Sequence, residues 1–369
     1  MNTERMINEF VEMVGVSSLS LTEGNFASLL AEKLRAMDFE VYIDKAGELT
    51  GGDTGNVLGR LKGTLDKRPL LFCAHMDTVV PGENIKPVIR DDIIYSDGTT
   101  ILGGDDKAGI AAILEAVRFL KENGIPHGDI EVAFTICEEG GMHGAKNMDY
   151  GWLKSKLAFV LDSGGNVGSV VVQAPAQYKL LTTIKGKAAH AGVSPESGIS
   201  AIQVAARAIE KMKLLRIDED TTANIGKISG GSATNIVCDR VEITMEARSL
   251  VRDKVEAQAR HMLECIETAC SEYGAEHETT RYLNYAEINL QKDAEVVKLA
   301  EAAIRRIGLE PSLKSTGGGS DTNVMSGKGL QAVTLGIGMS NVHTTSEYIA
   351  ISDIEKTAEL VAAIIQEAE

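Results

Sequence analysis

Apolar and polar positions change their period several times along the chain. Residues 3–14 and 22–37 carry apolar side chains at helical spacing, and "EVYID", "NVLGRLKG" and "PLLFCAHMD" follow as strand-like runs. From Lys107, "KAGIAAILEAVRFLKENG" sets Ile110, Ile113, Leu114, Val117 and Leu120 on one face and ends at Gly124, which predicts a helix. "DIEVAFTIC" reads as a strand, "GMHGAKNM" as a short helix and "KLAFVLD" as a further strand. Strands that alternate with helices predict a mainly parallel sheet covered on both faces, in three layers.

The texture changes after "VVVQAPA". From 176 to 288 the pattern predicts strand "YKLLTTIKG", a helix over 198–214, two strands within "ANIGKISGGSATNIVCDRVEITMEARS", a helix over 252–272 and strand "EHETTRYLNY". That order suits a small α+β domain, an antiparallel sheet backed by two helices. The α/β pattern then resumes with a helix over 292–307, strand "PSLKST", a "GGGSDTNVM" turn into a helix, strand "QAVTLGIG", the segment "NVHTTSEYI" and a last helix. The expected organisation is therefore a discontinuous α/β domain over 1–175 and 289–369, with an inserted domain over 176–288.

Three apolar runs of the first domain stop at ligand-type residues. "LLFCAHMD" ends on His75 and Asp77, "EVAFTICEE" on Glu138 and Glu139, and "KLAFVLD" on Asp162. In an open α/β sheet, sites form outside the carboxyl ends of the strands. "GGDDKAG" adds Asp105 and Asp106 at the start of the Lys107 helix, and "NVHTTSEY" adds His343 after the last strand. Singly, each has an ordinary explanation: a DD pair caps a helix, and an EE pair is solvated surface. Together they place like charges in one crevice, where repulsion and desolvation both cost free energy that a cation removes. The donor set exceeds what one tetrahedral zinc needs and suits two zinc ions sharing a carboxylate and a water. Strand alternation puts His75 and Asp77 on one side, so Asp77 can orient the imidazole. Of two adjacent glutamates, one can bind metal while the other takes a proton from water.

Composition narrows the classes. The chain has 369 residues, 44% of them hydrophobic, and a formal net charge of −16. That charge argues against a nucleic-acid partner, which clustered Lys and Arg would serve. No apolar run is long enough for a membrane span. Glu4, Glu9 and Glu12 interrupt the stretch a signal peptide would need, so a cytoplasmic protein is expected. Cys73, Cys137, Cys238, Cys265 and Cys270 are odd in number and lack CxxC spacing, which fits reduced thiols. "GGGSDTN" lacks the spacing and the GK[ST] of phosphate-binding loops, so its glycines read as a tight turn.

The motifs "HMDTVVPG", "GGDDKAGIAA", "CEEGGMHGAK", "LDSGG", "AAHAG" and "HTTSEYI" resemble, in this order and over nearly the whole chain, peptidase T and its relatives. These are dinuclear-zinc exopeptidases and deacylases that include carboxypeptidase G, aminoacylases and succinyl-diaminopimelate desuccinylase. The resemblance implies that His75 and Asp162 bind one metal, Glu139 and His343 the other, and Asp105 both. It implies that Asp77 orients His75 and that Glu138 is the general base. It further implies a homodimer formed through the inserted lid domain, with His190 of "AAHAG" polarising the substrate carbonyl across the subunit boundary. Asn235, Arg248 and Gly318 resemble residues that line the far end of the substrate pocket.

The expected activity is hydrolysis of di- and tripeptides by a zinc aminopeptidase, with cobalt or manganese as substitutes for two zinc ions per subunit. An aminoacylase, another N-acyl amino acid amidohydrolase or a carboxypeptidase on the same scaffold is the alternative. A non-catalytic metal-dependent binding protein is a remoter one, disfavoured because Glu138 and all five ligands are present. Where peptidase T has an aspartate before its glutamate pair, this chain has Cys137, and it is shorter than the archetype. Strict tripeptide specificity is what those departures put in question.

Overall fold

In the computed structural model, which describes residues 1–368, the chain divides into two units. The first comprises 1–172, 290–315 and the chain from Ser320 onward, and the second comprises 173–289 with 316–319. The second unit thus begins inside a strand and takes in a four-residue turn that the hydrophobic pattern assigned to the first. Gly319 explains the turn: a Cβ there would lie 2.3 Å from the ring of Tyr285, so only glycine lets the turn lie against that side chain.

The first unit is built on strands β1 (Glu40–Ile43), β2 (Val57–Leu61), β3 (Leu70–His75), β4 (Ile130–Thr135), β5 (Leu157–Ser163), β6 (Ser169–Ala174) and β7 (Gln331–Gly336). Their order across the sheet is β1-β2-β4-β3-β5-β7-β6. Only the four central strands are mutually parallel; β2 and β6 pair with that block in antiparallel fashion. The sheet is therefore mixed, parallel at its centre and antiparallel toward both edges.

Every residue of β3 is buried, as a strand covered on both faces requires. Leu70, Phe72 and Ala74 join one apolar cluster while Leu71 and Cys73 join another, the period of two expected of a strand. Phe72 stacks on Phe159 of the adjacent β5 with ring centroids 5.6 Å apart. The longer helices of the unit are α1 (Thr3–Gly15), α2 (Gly24–Ala36), α3 (Gly104–Glu122), α4 (Glu295–Arg306), α5 (Asp321–Gly327) and α6 (Ile351–Glu367). Among the described residues no helix is long and apolar enough to cross a membrane.

Helix α3 approaches β5 very closely at Gly109, where a Cβ would lie 2.5 Å from Asp106 Oδ1 and 2.8 Å from the Leu161 carbonyl. Gly109→Ala is expected to destabilise the protein by about 1–3 kcal/mol through overpacking. Thermal unfolding checks this, and an unchanged midpoint would contradict the contact.

The second unit has a five-stranded antiparallel sheet, in which Ala176–Lys185 lies between Arg240–Ser249 and Glu276–Tyr285. Helices Ala201–Lys211 and Arg252–Tyr273 pack on it, and their shared core includes Leu180, Val204, Met245 and Met262.

Candidate metal centre

The central strands deliver chemistry at their carboxyl ends. β3 stops at His75, β4 leads into Cys137, Glu138 and Glu139, and β5 carries Asp162 beside its last residue. β7 leads into the loop that holds His343. Asp105 and Asp106 enter from the start of α3, but the backbone at both is non-helical and the peptide between them is cis. The regular helix starts at Lys107, so this pair does not cap it in the ordinary way.

The two aspartates diverge. Asp106 Oδ2 accepts the His75 main-chain N–H at 3.2 Å. Asp105 divides its oxygens between two histidines: Oδ1 lies 3.0 Å from His75 Nε2, and Oδ2 lies 3.2 Å from His343 Nε2. His343 Nε2 is also 2.6 Å from Glu139 Oε1, and His75 Nε2 is 3.9 Å from Asp162 Oδ1. Three sets of potential ligand atoms lie within 4.8 Å of one another: His75, Asp105 and Asp162; Asp105, Glu139 and His343; and His75, Glu138 and Glu139.

Electrostatics reports how crowded this cluster is. Burial, reinforced by Asp162, pushes the Glu138 carboxyl well above the usual range, and burial with Asp105 does the same to Asp162. Burial would also raise Asp105, but its bonds to His343 and His75 hold it low. His343 is pushed up to about 10 by Asp105 and Glu139. Burial opposes protonation of His75, yet Asp105 and Asp77 carry it well above its ordinary value. Four carboxylates, Asp105, Glu138, Glu139 and Asp162, thus face two imidazoles in a desolvated crevice. Divalent cations fit this donor set, since they neutralise the excess charge and take nitrogen and carboxylate ligands together.

Asp77 does more than orient His75. The imidazole Nδ1 lies 2.9 Å from the Asp77 main-chain carbonyl and 3.5 Å from its carboxylate. That carboxylate accepts the N–H of Glu138 at 2.8 Å, the N–H of Glu139 at 3.2 Å and the Ser20 hydroxyl at 2.6 Å. It therefore holds the turn that carries the glutamate pair as well as Ser20. Glu23 continues this support by accepting the Cys137 N–H at 2.9 Å, and burial pushes its carboxyl up to about 7.

Sequence reasoning missed Glu23, Ser20, Asp321 and Glu347. Asp321 is buried, accepts the Thr135 hydroxyl at 2.6 Å and is pushed up to about 6, chiefly by burial. In "GGGSDTN" it reads as an ordinary acidic residue of a helix first turn, and nothing local signals its burial. Glu347 lies in the quoted "HTTSEYI", four residues after His343 and spaced like a surface residue.

His190, Asn235, Arg248 and Gly318 all belong to the second unit. His190 is exposed, bridges to Ile236 and accepts the Gly192 N–H at Nδ1, 3.2 Å away. Asn235 is next to it and accepts the Ala191 N–H at 2.9 Å. Arg248 is held by Glu246 at 2.8 Å, and its Nη1 lies 3.5 Å from the Gly317 carbonyl in the turn that contains Gly318. The unit thus gathers the four residues into two adjacent pairs. Among the described residues, His127, His143, His261 and His277 belong to none of the potential ligand sets.

Comparison with known proteins places this geometry. A YqjE protein of Bacillus subtilis (strain 168), itself uncharacterised, is 45% identical over 367 residues, spanning 100% of this chain and 99% of its own. The crystal structure of aminopeptidase PepT from Bacillus cereus ATCC 10987 superimposes with a TM-score of 0.91 at 48% identity, covering 100% of this chain and 99% of that one. A tripeptidase from Staphylococcus aureus subsp. aureus Mu50 gives 0.94 at 40% identity, with coverage of 99% and 98%. The model of peptidase family M20/M25/M40 matches residues 71–367, from the strand that ends in His75 into the last helix. By that match and by these relatives, the chain belongs to peptidase family M20/M25/M40.

Proposed function

We propose that this chain is a peptidase T-like aminopeptidase that hydrolyses di- and tripeptides at a dinuclear zinc centre. The observation that carries the reading is the divided carboxylate of Asp105, one oxygen toward His75 and the other toward His343. The 48% identity with an aminopeptidase over the whole chain supports the substrate class.

In this reading His75 and Asp162 would hold one ion, Glu139 and His343 the other, and Asp105 both. When bound, such ions supply Lewis-acid polarisation of the scissile carbonyl and an activated water. Glu138 then removes the proton from the attacking water at its carboxylate and returns it to the amine nitrogen as the C–N bond breaks. A positioned carboxylate beside the donor set, grouped with His75 and Glu139, suits this general acid–base role. Asp77 keeps Glu138 and Glu139 in register by holding both amides.

The second unit acts as lid and dimerisation domain, and His190 donates to the carbonyl oxygen across the subunit boundary. Asn235, Arg248 and the Gly318 turn contact the distal end of the peptide. Five buried free cysteines support work in a reducing cytoplasm.

His190→Ala is expected to leave zinc content and melting temperature unchanged while lowering kcat by about 10²–10³, the range for one lost oxyanion donor. An unchanged kcat would remove His190 from the site. A panel of di- and tripeptides against N-acyl amino acids tests the substrate class. Tripeptide cleavage is expected, and deacylation without peptide cleavage would overturn the aminopeptidase reading.

A further inference from the structure

We infer that Glu347 is a positioning residue for the metal centre, joining the turn that carries Asp105 to the loop that carries His343. The inference rests on the reading of the centre given above. Glu347 is 1% exposed, and its carboxylate is fully engaged with main chain. Oε2 accepts the N–H of Leu102 at 2.8 Å and of Gly103 at 2.9 Å, while Oε1 accepts the N–H of Asp105 at 3.0 Å.

These three amides need such an acceptor. Gly103 has a left-handed backbone (φ 74°) and Asp105 a non-helical one, so the turn precedes the regular helix and cannot use helical bonding. A buried N–H left unpaired is costly, and here three would be left together. The fit is close: a Cβ on Gly104 would lie 3.1 Å from Glu347 Oε1.

The other end of the link is equally fixed. Ser340 and Tyr348 exchange main-chain hydrogen bonds of 3.1 Å in both directions, closing the loop that contains His343. Within it the Glu347 N–H donates to the Thr344 carbonyl at 3.2 Å, and the Glu347 carbonyl accepts from Ser96 N at 3.0 Å. Glu347 therefore leaves a rigid loop base and grips the Asp105 turn. The carboxylate thereby ties the Asp105 turn to the loop from which His343 Nε2 approaches Asp105 Oδ2 at 3.2 Å.

A glutamine cannot replace it, because its amide nitrogen would confront a main-chain donor wherever it was placed. Outer-shell changes of this kind cost about ten- to a hundredfold in metal affinity or activity.

The test is competition between a chromophoric chelator and metal-free wild type, Glu347→Gln and Glu347→Asp, with zinc as the probe. Thermal unfolding of the metal-free forms and tripeptide kinetics accompany it. Glu347→Gln is expected to weaken zinc binding by about ten- to a hundredfold and lower kcat with little change in KM. Glu347→Asp, which keeps the charge, is expected to recover part of both. A melting temperature that falls while zinc affinity and kcat hold would overturn the proposal and leave Glu347 a stability residue.

Hydrogen exchange on metal-free wild type adds a measurement that needs no variant. The amides of Leu102, Gly103 and Asp105 are expected to be protected, and exchange at free-loop rates would overturn the proposal. If wild type binds zinc and Glu347→Gln binds it equally well, this proposal alone fails. If wild type takes up no zinc, the reading of the centre fails and takes the proposal with it.

Discussion

Glu138→Gln should lower kcat on a tripeptide by about 10²–10⁴, the contribution typical of a positioned general base, while zinc content stays at two ions per chain. Glutamine preserves the shape of Glu138 but cannot take a proton from water. The turn itself should not move, because its amides bond to Asp77 through the main chain. The geometry offers a competing role, since Glu138 also falls in a potential ligand set with His75 and Glu139. Zinc stoichiometry separates the two: a base leaves it intact, and a ligand lowers it. Persisting activity would transfer the proton step to another residue.

Asp105→Asn should be more damaging still, removing turnover and lowering zinc stoichiometry below that of any other single ligand change. Asp105 turns its two oxygens toward different histidines, at 3.0 and 3.2 Å. Asparagine keeps one oxygen, loses the charge and turns the other oxygen into an N–H donor, so it cannot bridge two ions. Asp162→Asn provides the contrast, since of the two histidines Asp162 approaches His75, at 3.9 Å, and one ion should remain. Metal analysis of purified variants by mass spectrometry measures this. Equal stoichiometry in the two variants would contradict a bridging Asp105.

The strands that frame the centre were legible because each is an apolar run that stops at a polar residue. That signal is local: β3 is buried throughout and then meets His75, and the run of β5 meets Asp162 in the same way. The helix from Lys107 and the inserted domain were legible for the same reason, as sustained changes of period.

What was not legible depends on residues distant in sequence. Residues 316–319 belong to the second unit, where Gly319 lies against Tyr285 and Arg248 is near Gly317. The mainly parallel expectation missed the antiparallel edges, because a strand's direction leaves no mark on its own hydrophobic pattern. Asp77 read as a partner of His75 through strand alternation, yet its carboxylate serves main-chain donors of a turn 61 residues away. Lys107, where the predicted helix begins, is fully buried and donates to the carbonyls of Val16 at 2.7 Å and Met13 at 3.2 Å. Buried polar side chains that satisfy distant main chain carry no periodic signature, and Glu23, Asp321 and Glu347 share that property.

The central claim is that tripeptide hydrolysis depends on two metal ions held by His75, Asp105, Glu139, Asp162 and His343. Its most direct test is to strip the protein with a chelator and follow the hydrolysis rate while zinc is returned in known equivalents. The rate is predicted to be negligible without metal and to reach its plateau at two equivalents per chain. Undiminished hydrolysis by the metal-free protein, or a plateau reached without zinc uptake, would contradict the account.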